Sequence, residues 1–137
     1  MLRTKLTHPT ILNALGSMGH GSRVLIADGN YPFSTHANPL APHVYLNLSP
    51  GLINATQIVE ALVSAIAVEA AHVMKPAEGP EPPIFAEFRA LLPGIDLLAL
   101  QRFDFYDFAR EPEIGLVIAS GEARIYANIM LTIGVVN

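Results

Sequence analysis

The 137-residue sequence has no cysteine and little charge, and each shortage excludes a class of protein. Without cysteine, the chain cannot form disulfides, attack a substrate with a thiolate or bind zinc through sulfur. Charged residues make up 15% of the sequence, against about 25% in an average soluble domain. The eight lysines and arginines are scattered and the net charge is −4, so the sequence offers no basic patch for nucleic acid.

Long apolar runs are also missing. Residues 61–71 come nearest, but they include Ser64 and Glu69, and a membrane-spanning helix needs about 18 apolar residues. The first residues lead into Pro9 without the apolar centre that a signal peptide requires. We therefore expect no membrane partner, and the absence of cysteine fits a reducing, cytoplasmic location.

Hydrophobic residues are abundant for a chain of this size. They make up 51% of the sequence, and the mean hydropathy is +0.39. The length suits one domain over residues 1–137, which has few polar groups to cover its surface. We interpret the excess of apolar surface as a subunit interface and expect a homo-oligomer. A monomer with an apolar surface is the alternative.

The apolar pattern predicts helices and strands in alternation, which is typical of an α/β layered fold. Thr7 can cap the first helix, and Gly19 can end it. Residues 67–74 fit either a continued helix or a strand, because they combine helical spacing with β-branched and small residues. Further helices are predicted over 55–66, 84–92 and 103–110, and strands over 23–27, 44–48, 95–100 and 115–119, with loops over 29–42 and 75–83 and an apolar closing segment over 125–135.

A histidine between two glycines precedes the first strand, and an aspartate follows that strand. These residues are His20 and Asp28. An α/β fold collects its ligands at the carboxyl ends of its strands, and histidine changes its charge near neutral pH. The pattern therefore predicts that both residues belong to an active site. The structural alternatives are a turn residue for His20 and a turn-capping role for Asp28.

Four more polar residues follow predicted strands or open the closing segment. Arg102 comes almost directly after strand 95–100, and Tyr106 lies one helical turn later. Tyr126 and Asn128 open the closing segment. A surface ion pair is the alternative for Arg102, and a core position is the alternative for Tyr106.

The chemistry of this set suits a neutral polyol such as a sugar. A carboxylate, a guanidinium, phenols and an amide can form hydrogen bonds with several hydroxyls, and a histidine can move a proton to or from the ring oxygen. The sequence has no G-x-S-x-G motif, no phosphate loop and no dinucleotide fingerprint. We therefore expect neither acyl transfer nor nucleotide binding.

The loop after Asp28 adds Asn30, Tyr31, His36 and His43. The two loop histidines, together with His20 and Asp28, can be imagined as a metal site. Their irregular spacing disfavours this interpretation, so we expect no metal and no cofactor. A metal-dependent isomerase or lyase is kept as a rival hypothesis.

Several short motifs occur in a fixed order along the chain. They are Met18–Gly21, Asp28, Arg102–Tyr106, Ser120–Glu122, Tyr126–Ile129 and the closing pair Gly134-Val135. Each motif is weak alone, but the ordered set is specific. It resembles the D-ribose pyranase and L-fucose mutarotase family over essentially the whole chain.

The resemblance implies a cofactor-free isomerase with a three-layer α/β/α fold around a central mixed sheet. Such an enzyme interconverts anomers, with or without pyranose–furanose exchange, of a free sugar such as L-fucose. In the matching positions His20 is the acid/base catalyst, and Asp28, Arg102, Tyr126 and Asn128 bind the sugar. We add Tyr106 to the binding set.

The resemblance also implies a cytoplasmic decamer with sites near subunit contacts, and it favours a strand over residues 67–74. Arg102 and the Phe-x-Phe-Tyr sequence that follows it are closer to the fucose branch, whereas Ala127 is more typical of the ribose branch, which leaves the sugar open. A non-catalytic sugar-binding accessory protein of an uptake system is the alternative function.

Overall fold

The computed structural model describes all residues from Met1 to Asn137. It contains four helices and six strands. The helices are α1 (Pro9–Ser17), α2 (Ala55–Val63), α3 (Ile84–Leu91) and α4 (Arg102–Ala109). The strands are β1 (Arg23–Ala27), β2 (His43–Tyr45), β3 (Val68–Met74), β4 (Leu97–Leu100), β5 (Ile114–Ala119) and β6 (Ile129–Ile133).

The six strands form one mixed sheet in the order β2-β5-β1-β6-β3-β4. Strands β1, β5 and β2 run parallel to one another, as do β3 and β4, while β6 is antiparallel to both of its neighbours. Because β6 alone is reversed, the carboxyl ends of the other strands meet at the edge of the sheet where β6 begins. This edge is where an α/β fold places its ligands.

Apolar side chains cover both faces of the sheet, as the alternation along each strand requires. On one face, α1, α2 and α3 pack on a core that includes Val24, Ile26 and Phe88. On the other face, α4 and the loop over residues 29–42 pack on a smaller core around Leu25 and Phe105. The predicted three-layer α/β/α fold with a central mixed sheet is therefore confirmed.

The ambiguous segment 67–74 is a strand. Helix α2 ends at Val63, and β3 then pairs with β6 on one side and β4 on the other. Two strand neighbours satisfy its backbone groups, and Ala71 and Val73 are fully buried. The local sequence favours helix and strand about equally here, and pairing with β4 and β6 selects the strand.

Some predicted boundaries were wrong. The cap of α1 is His8, whose Nδ1 accepts a hydrogen bond from the backbone N–H of Ile11 at 3.4 Å, and not Thr7. Strand β2 ends at Tyr45 because the chain turns soon afterwards, with the N–H of Leu48 donating to the carbonyl oxygen of Leu46. None of the four helices has the length and apolar character that crossing a membrane requires.

Candidate active site

A cavity of about 500 Å³ opens at the edge of the sheet where β6 begins. Its volume falls within the range of small-molecule sites. All of the predicted site residues except His20 line it. The lining residues are Asp28, Asn30, Tyr31, Met74, Arg102, Tyr106, Ile125, Tyr126 and Asn128.

Asp28 and Asn128 form a buried polar pair at the base of the cavity. The Asp28 backbone N–H donates to Asn128 Oδ1 at 2.7 Å, and Asn128 Nδ2 donates back to Asp28 Oδ2 at 3.1 Å. The same carboxylate accepts from the backbone N–H groups of Asn30 at 2.9 Å and Ala127 at 3.2 Å. These contacts lock the carboxylate in place between β1 and β6.

Burial controls the protonation of Asp28. Asp28 is 3% exposed, and the burial of its carboxyl group raises its pKa. Hydrogen bonds from Asn30, Ala127 and Asn128 act in the opposite direction without cancelling the effect. A buried carboxyl group with a raised pKa in a cavity is a candidate for binding and for proton transfer.

Tyr126 and Arg102 form one wall of the cavity. Tyr126 is the only non-glycine residue with a positive φ, at 60°, and this turn carries its phenol toward the cavity. Arg102 is the first residue of α4, and its Nη2 donates to Tyr126 Oη at 3.3 Å. The pair presents a positive donor and a phenol to the same space.

Tyr31 and Tyr106 form an aromatic wall. The two rings meet edge to face at 5.5 Å, and the ring of His36 lies 4.5 Å from that of Tyr106. Tyr31 Oη donates to the carbonyl oxygen of His36 at 2.6 Å, and burial raises the pKa of Tyr31. Tyr31 therefore stays protonated, while Tyr106 lines the cavity as predicted.

His20 lies away from this cavity. It belongs to the segment between α1 and β1, so it precedes β1 whereas Asp28 follows it. The five residues of β1 span about 16 Å, which separates the two side chains within one chain. The His20 side chain is 60% exposed, and its Nε2 lies 2.9 Å from Glu69 Oε2.

The loop histidines do not form a cluster with His20 and Asp28. His43 lies within hydrogen-bonding distance of the backbone oxygens of Ala41 and Phe33, while His36 packs on Tyr106. No group of three or more His, Asp or Glu side chains is placed to hold a metal ion. The hypothetical four-residue metal set is therefore not assembled within the chain.

The sequence prediction missed two apolar residues of the cavity. Met74 is the last residue of β3, so the rule that predicted Asp28 at the end of a strand could have found it. Ile125 adjoins Tyr126, but a hydrophobic side chain carries no chemical signal in a sequence. For Asn30 and Tyr31 the sequence indicates only a place in the loop after Asp28.

The fold is that of sugar-binding proteins whose structures are known. RbsD of Bacillus subtilis, solved with D-ribose, has a TM-score of 0.87 at 22% identity, with both chains fully covered. The fucose mutarotase of Streptococcus pneumoniae, solved with L-fucose, has a TM-score of 0.84 at 26% identity, again with both chains fully covered. Fucose mutarotase of Mus musculus is 29% identical over 147 aligned positions, which cover 95% of this chain and 90% of the mouse protein.

Residues 1–136 match the RbsD / FucU transport protein family, and the chain belongs to it. This assignment confirms the family resemblance that the ordered motifs predicted.

Proposed function

We propose that this protein is a monosaccharide mutarotase, an isomerase that interconverts the anomers of a free sugar such as L-fucose. The observation that carries the proposal is the buried Asp28–Asn128 pair at the base of a cavity that also presents a guanidinium and two phenols. Relatedness to fucose mutarotases along 95% of the chain supports it. Hydrogen-bond donors and acceptors of this kind match the hydroxyls of a neutral sugar.

The reaction needs only proton transfer and orientation. The anomeric hydroxyl loses a proton, the bond between the anomeric carbon and the ring oxygen breaks, and the ring oxygen gains a proton. The open aldehyde then rotates and closes on its other face. A positioned acid/base group typically accelerates such a step by about 10²–10⁴-fold, and binding the sugar in one orientation adds to this.

The cavity residues have distinct roles in this proposal. Asp28 and Asn128, which hold each other, bind neighbouring hydroxyls and fix the sugar at the base of the cavity. Arg102, Tyr106 and Tyr126 bind the hydroxyls that face outward. Asp28 is the second candidate for proton exchange, because its burial raises its pKa.

His20 is the proposed acid/base catalyst, and a second copy of the chain must supply it. One chain places His20 and Asp28 at opposite ends of β1, so its own His20 cannot reach the sugar. The imidazole is exposed, and its contact with Glu69 is also at the surface, so the side chain can turn from Glu69 into the cavity of a neighbour. We therefore propose that the sites form between copies in a cytoplasmic homo-oligomer, a decamer as the family resemblance implies.

Complementation between two inactive variants tests this arrangement. His20→Ala and Asp28→Asn are each expected to abolish the exchange of L-fucose anomers measured by saturation-transfer NMR. When the two variants are co-expressed, about a quarter of the randomly mixed sites receive an intact residue from each chain, and activity should return to that extent. His8→Ala, which alters only the cap of α1, is the control and should remain active.

Two results would contradict parts of this proposal. If His20→Ala keeps normal exchange, His20 is not the catalyst. If the co-expressed variants stay inactive although each one is folded and assembled, the site does not combine residues of two copies.

A non-catalytic accessory of a sugar uptake system is the second candidate, because the family is described as one of transport proteins. Binding of L-fucose without accelerated anomer exchange would support this candidate. The same NMR assay with D-ribose and D-galactose would identify the preferred sugar.

A further inference from the structure

We propose that Glu122, which does not line the sugar cavity, is a positioning residue for it. Acting through Arg124, Glu122 holds the turn over residues 124–128 so that Tyr126 and Asn128 face Asp28. The inference rests on the proposed function, since it assigns a role in the same cavity.

Glu122 is a buried carboxylate with four donors around it. Its side chain is 3% exposed. Oε1 accepts from the backbone N–H of Arg124 at 3.1 Å and from its Nε at 3.0 Å, while Oε2 accepts from Arg124 Nη2 at 3.0 Å. The backbone N–H of Ala55, the first residue of α2, also donates to Oε2 at 3.3 Å.

These donors stabilise the negatively charged form of Glu122. Its burial favours the neutral form, but the hydrogen bonds and positive charge of Arg124 and the N–H of Ala55 outweigh this effect and lower the pKa of Glu122. A buried carboxylate held in this way is rigid, because charge-assisted hydrogen bonds are shorter and stronger than neutral ones. Arg124 is thus fixed by side chain and backbone together.

The turn that follows needs support from both sides. Tyr126 has a φ of 60°, a region that a side chain of this size rarely adopts unless its surroundings impose it. On the carboxyl side, Asp28 holds the next two residues, Ala127 and Asn128. On the amino side, the first residue held in place is Arg124, which donates its hydrogen bonds to Glu122.

The Glu122 backbone ties the same turn to β1. Its carbonyl oxygen accepts from the N–H of Gly29 at 2.8 Å, next to Asp28. A Cβ at Gly29 would lie 3.2 Å from that oxygen, so the two segments are in close contact. The Glu122–Arg124 contacts and the loop after Asp28 therefore set the spacing of the cavity walls together.

Glu122→Gln tests the role with a nearly isosteric change. One end of the amide must place an NH₂ group against donors. The contact with Arg124 is therefore lost, and the turn shifts. We expect the KM for L-fucose to rise about tenfold, with kcat within about threefold, because misplaced binding groups weaken orientation. Anomer exchange and L-fucose binding are both measured by NMR and normalised to folded protein.

Glu87→Gln is the matched control. Arg124 also pairs with Glu87 on α3, but that carboxylate is 49% exposed, so its loss should leave the KM unchanged. If Glu122→Gln does not fold, Arg124→Lys replaces it, since this side chain is 44% exposed and lysine keeps the charge without the two-pronged contact. The KM should again rise.

An unchanged KM for the folded variant would overturn the inference, and so would an equal rise for Glu87→Gln. A role in stability alone would lower the folded fraction without changing the KM. If the unmodified protein binds L-fucose without accelerating exchange, the proposed enzyme activity fails, and the dissociation constant then tests the positioning role.

Discussion

His72 in β3 combines a buried ring nitrogen with a nearby positive charge. Its Nδ1 is buried without a hydrogen-bond partner. Its ring lies 4.6 Å from that of Phe108, and the Arg23 guanidinium lies 3.8 Å from the centre of the same Phe108 ring. Burial and the charge of Arg23 lower the pKa of His72. The native state therefore binds a proton at this position less readily than the unfolded chain does.

His72→Leu should stabilise the protein, and more so in acid. At pH 8 the imidazole is neutral, and removing an unsatisfied buried nitrogen should add about 1 kcal/mol to the free energy of unfolding. As the pH falls below about 6.5, the unfolded histidine takes up a proton that the native state resists, so the wild type loses further stability. Urea unfolding at pH 8 and pH 5 measures both values. An identical difference at the two pH values would contradict the prediction.

At the scale of elements, the sequence predicted most of the helices and strands but not how they complete the site. Asp28, Arg102 and Asn128 could be placed because each stands beside a strand end, and the parallel strands bring those ends together. The choice of strand for residues 67–74 depends on β6, more than fifty residues away, so local pattern alone could not settle it.

The separation of His20 from Asp28 could have been predicted from their order along the chain. A strand separates it from Asp28, and the two ends of a strand lie on opposite edges of a sheet. Glu122 belongs to the Ser120–Glu122 motif, but the motif does not indicate its role, because that role depends on the contact with Ala55 and on an unusual backbone angle at Tyr126. Neither is visible in a pattern of residue types.

The turn after β5 packs against the segment between β2 and α2 through Gly121. Gly121 N–H donates to the carbonyl oxygen of Ile53 at 2.8 Å, and its own carbonyl accepts from Gly51 N–H at 2.7 Å. A Cβ at Gly121 would overlap the carbonyl oxygen of Leu52. Backbone atoms cannot yield as a flexible side chain would, so this contact requires glycine.

Gly121→Ala should destabilise the protein by about 3 kcal/mol, since overpacking forces the backbone of both segments to shift. Gly16→Ala is the matched control. Gly16 lies within α1 and a Cβ there meets no atom within 4 Å, so alanine should stabilise the helix by about 0.5–1 kcal/mol. Urea unfolding of both variants provides the comparison. A Gly121→Ala variant as stable as the wild type would show that the two segments are loosely joined.

At the scale of the whole molecule, the chain carries the proposed sugar-binding cavity at one edge of the sheet and its proposed catalyst at the other. In the proposed arrangement such a chain gains activity only by assembling, because each copy supplies part of the site to a neighbour. The apolar composition fits this requirement. If the site forms in this way, catalysis depends on the contacts between copies, and loss of these contacts should appear as loss of catalysis.

The exposed apolar residues around the edge strand β2 are the best candidates for such contacts. Leu40 is 91% exposed and Leu48 is 82% exposed, and β2 pairs only with β5, which leaves an open strand edge.

Leu48→Glu places a charge in this patch, so the variant should sediment as a smaller species and lose exchange activity at low protein concentration. Activity should recover as the protein concentration rises, by mass action. Leu2→Glu, at an exposed position near the amino terminus, is the control and should assemble normally. If Leu48→Glu keeps the mass of the wild type and its activity per chain does not depend on concentration, the patch around β2 does not join the copies.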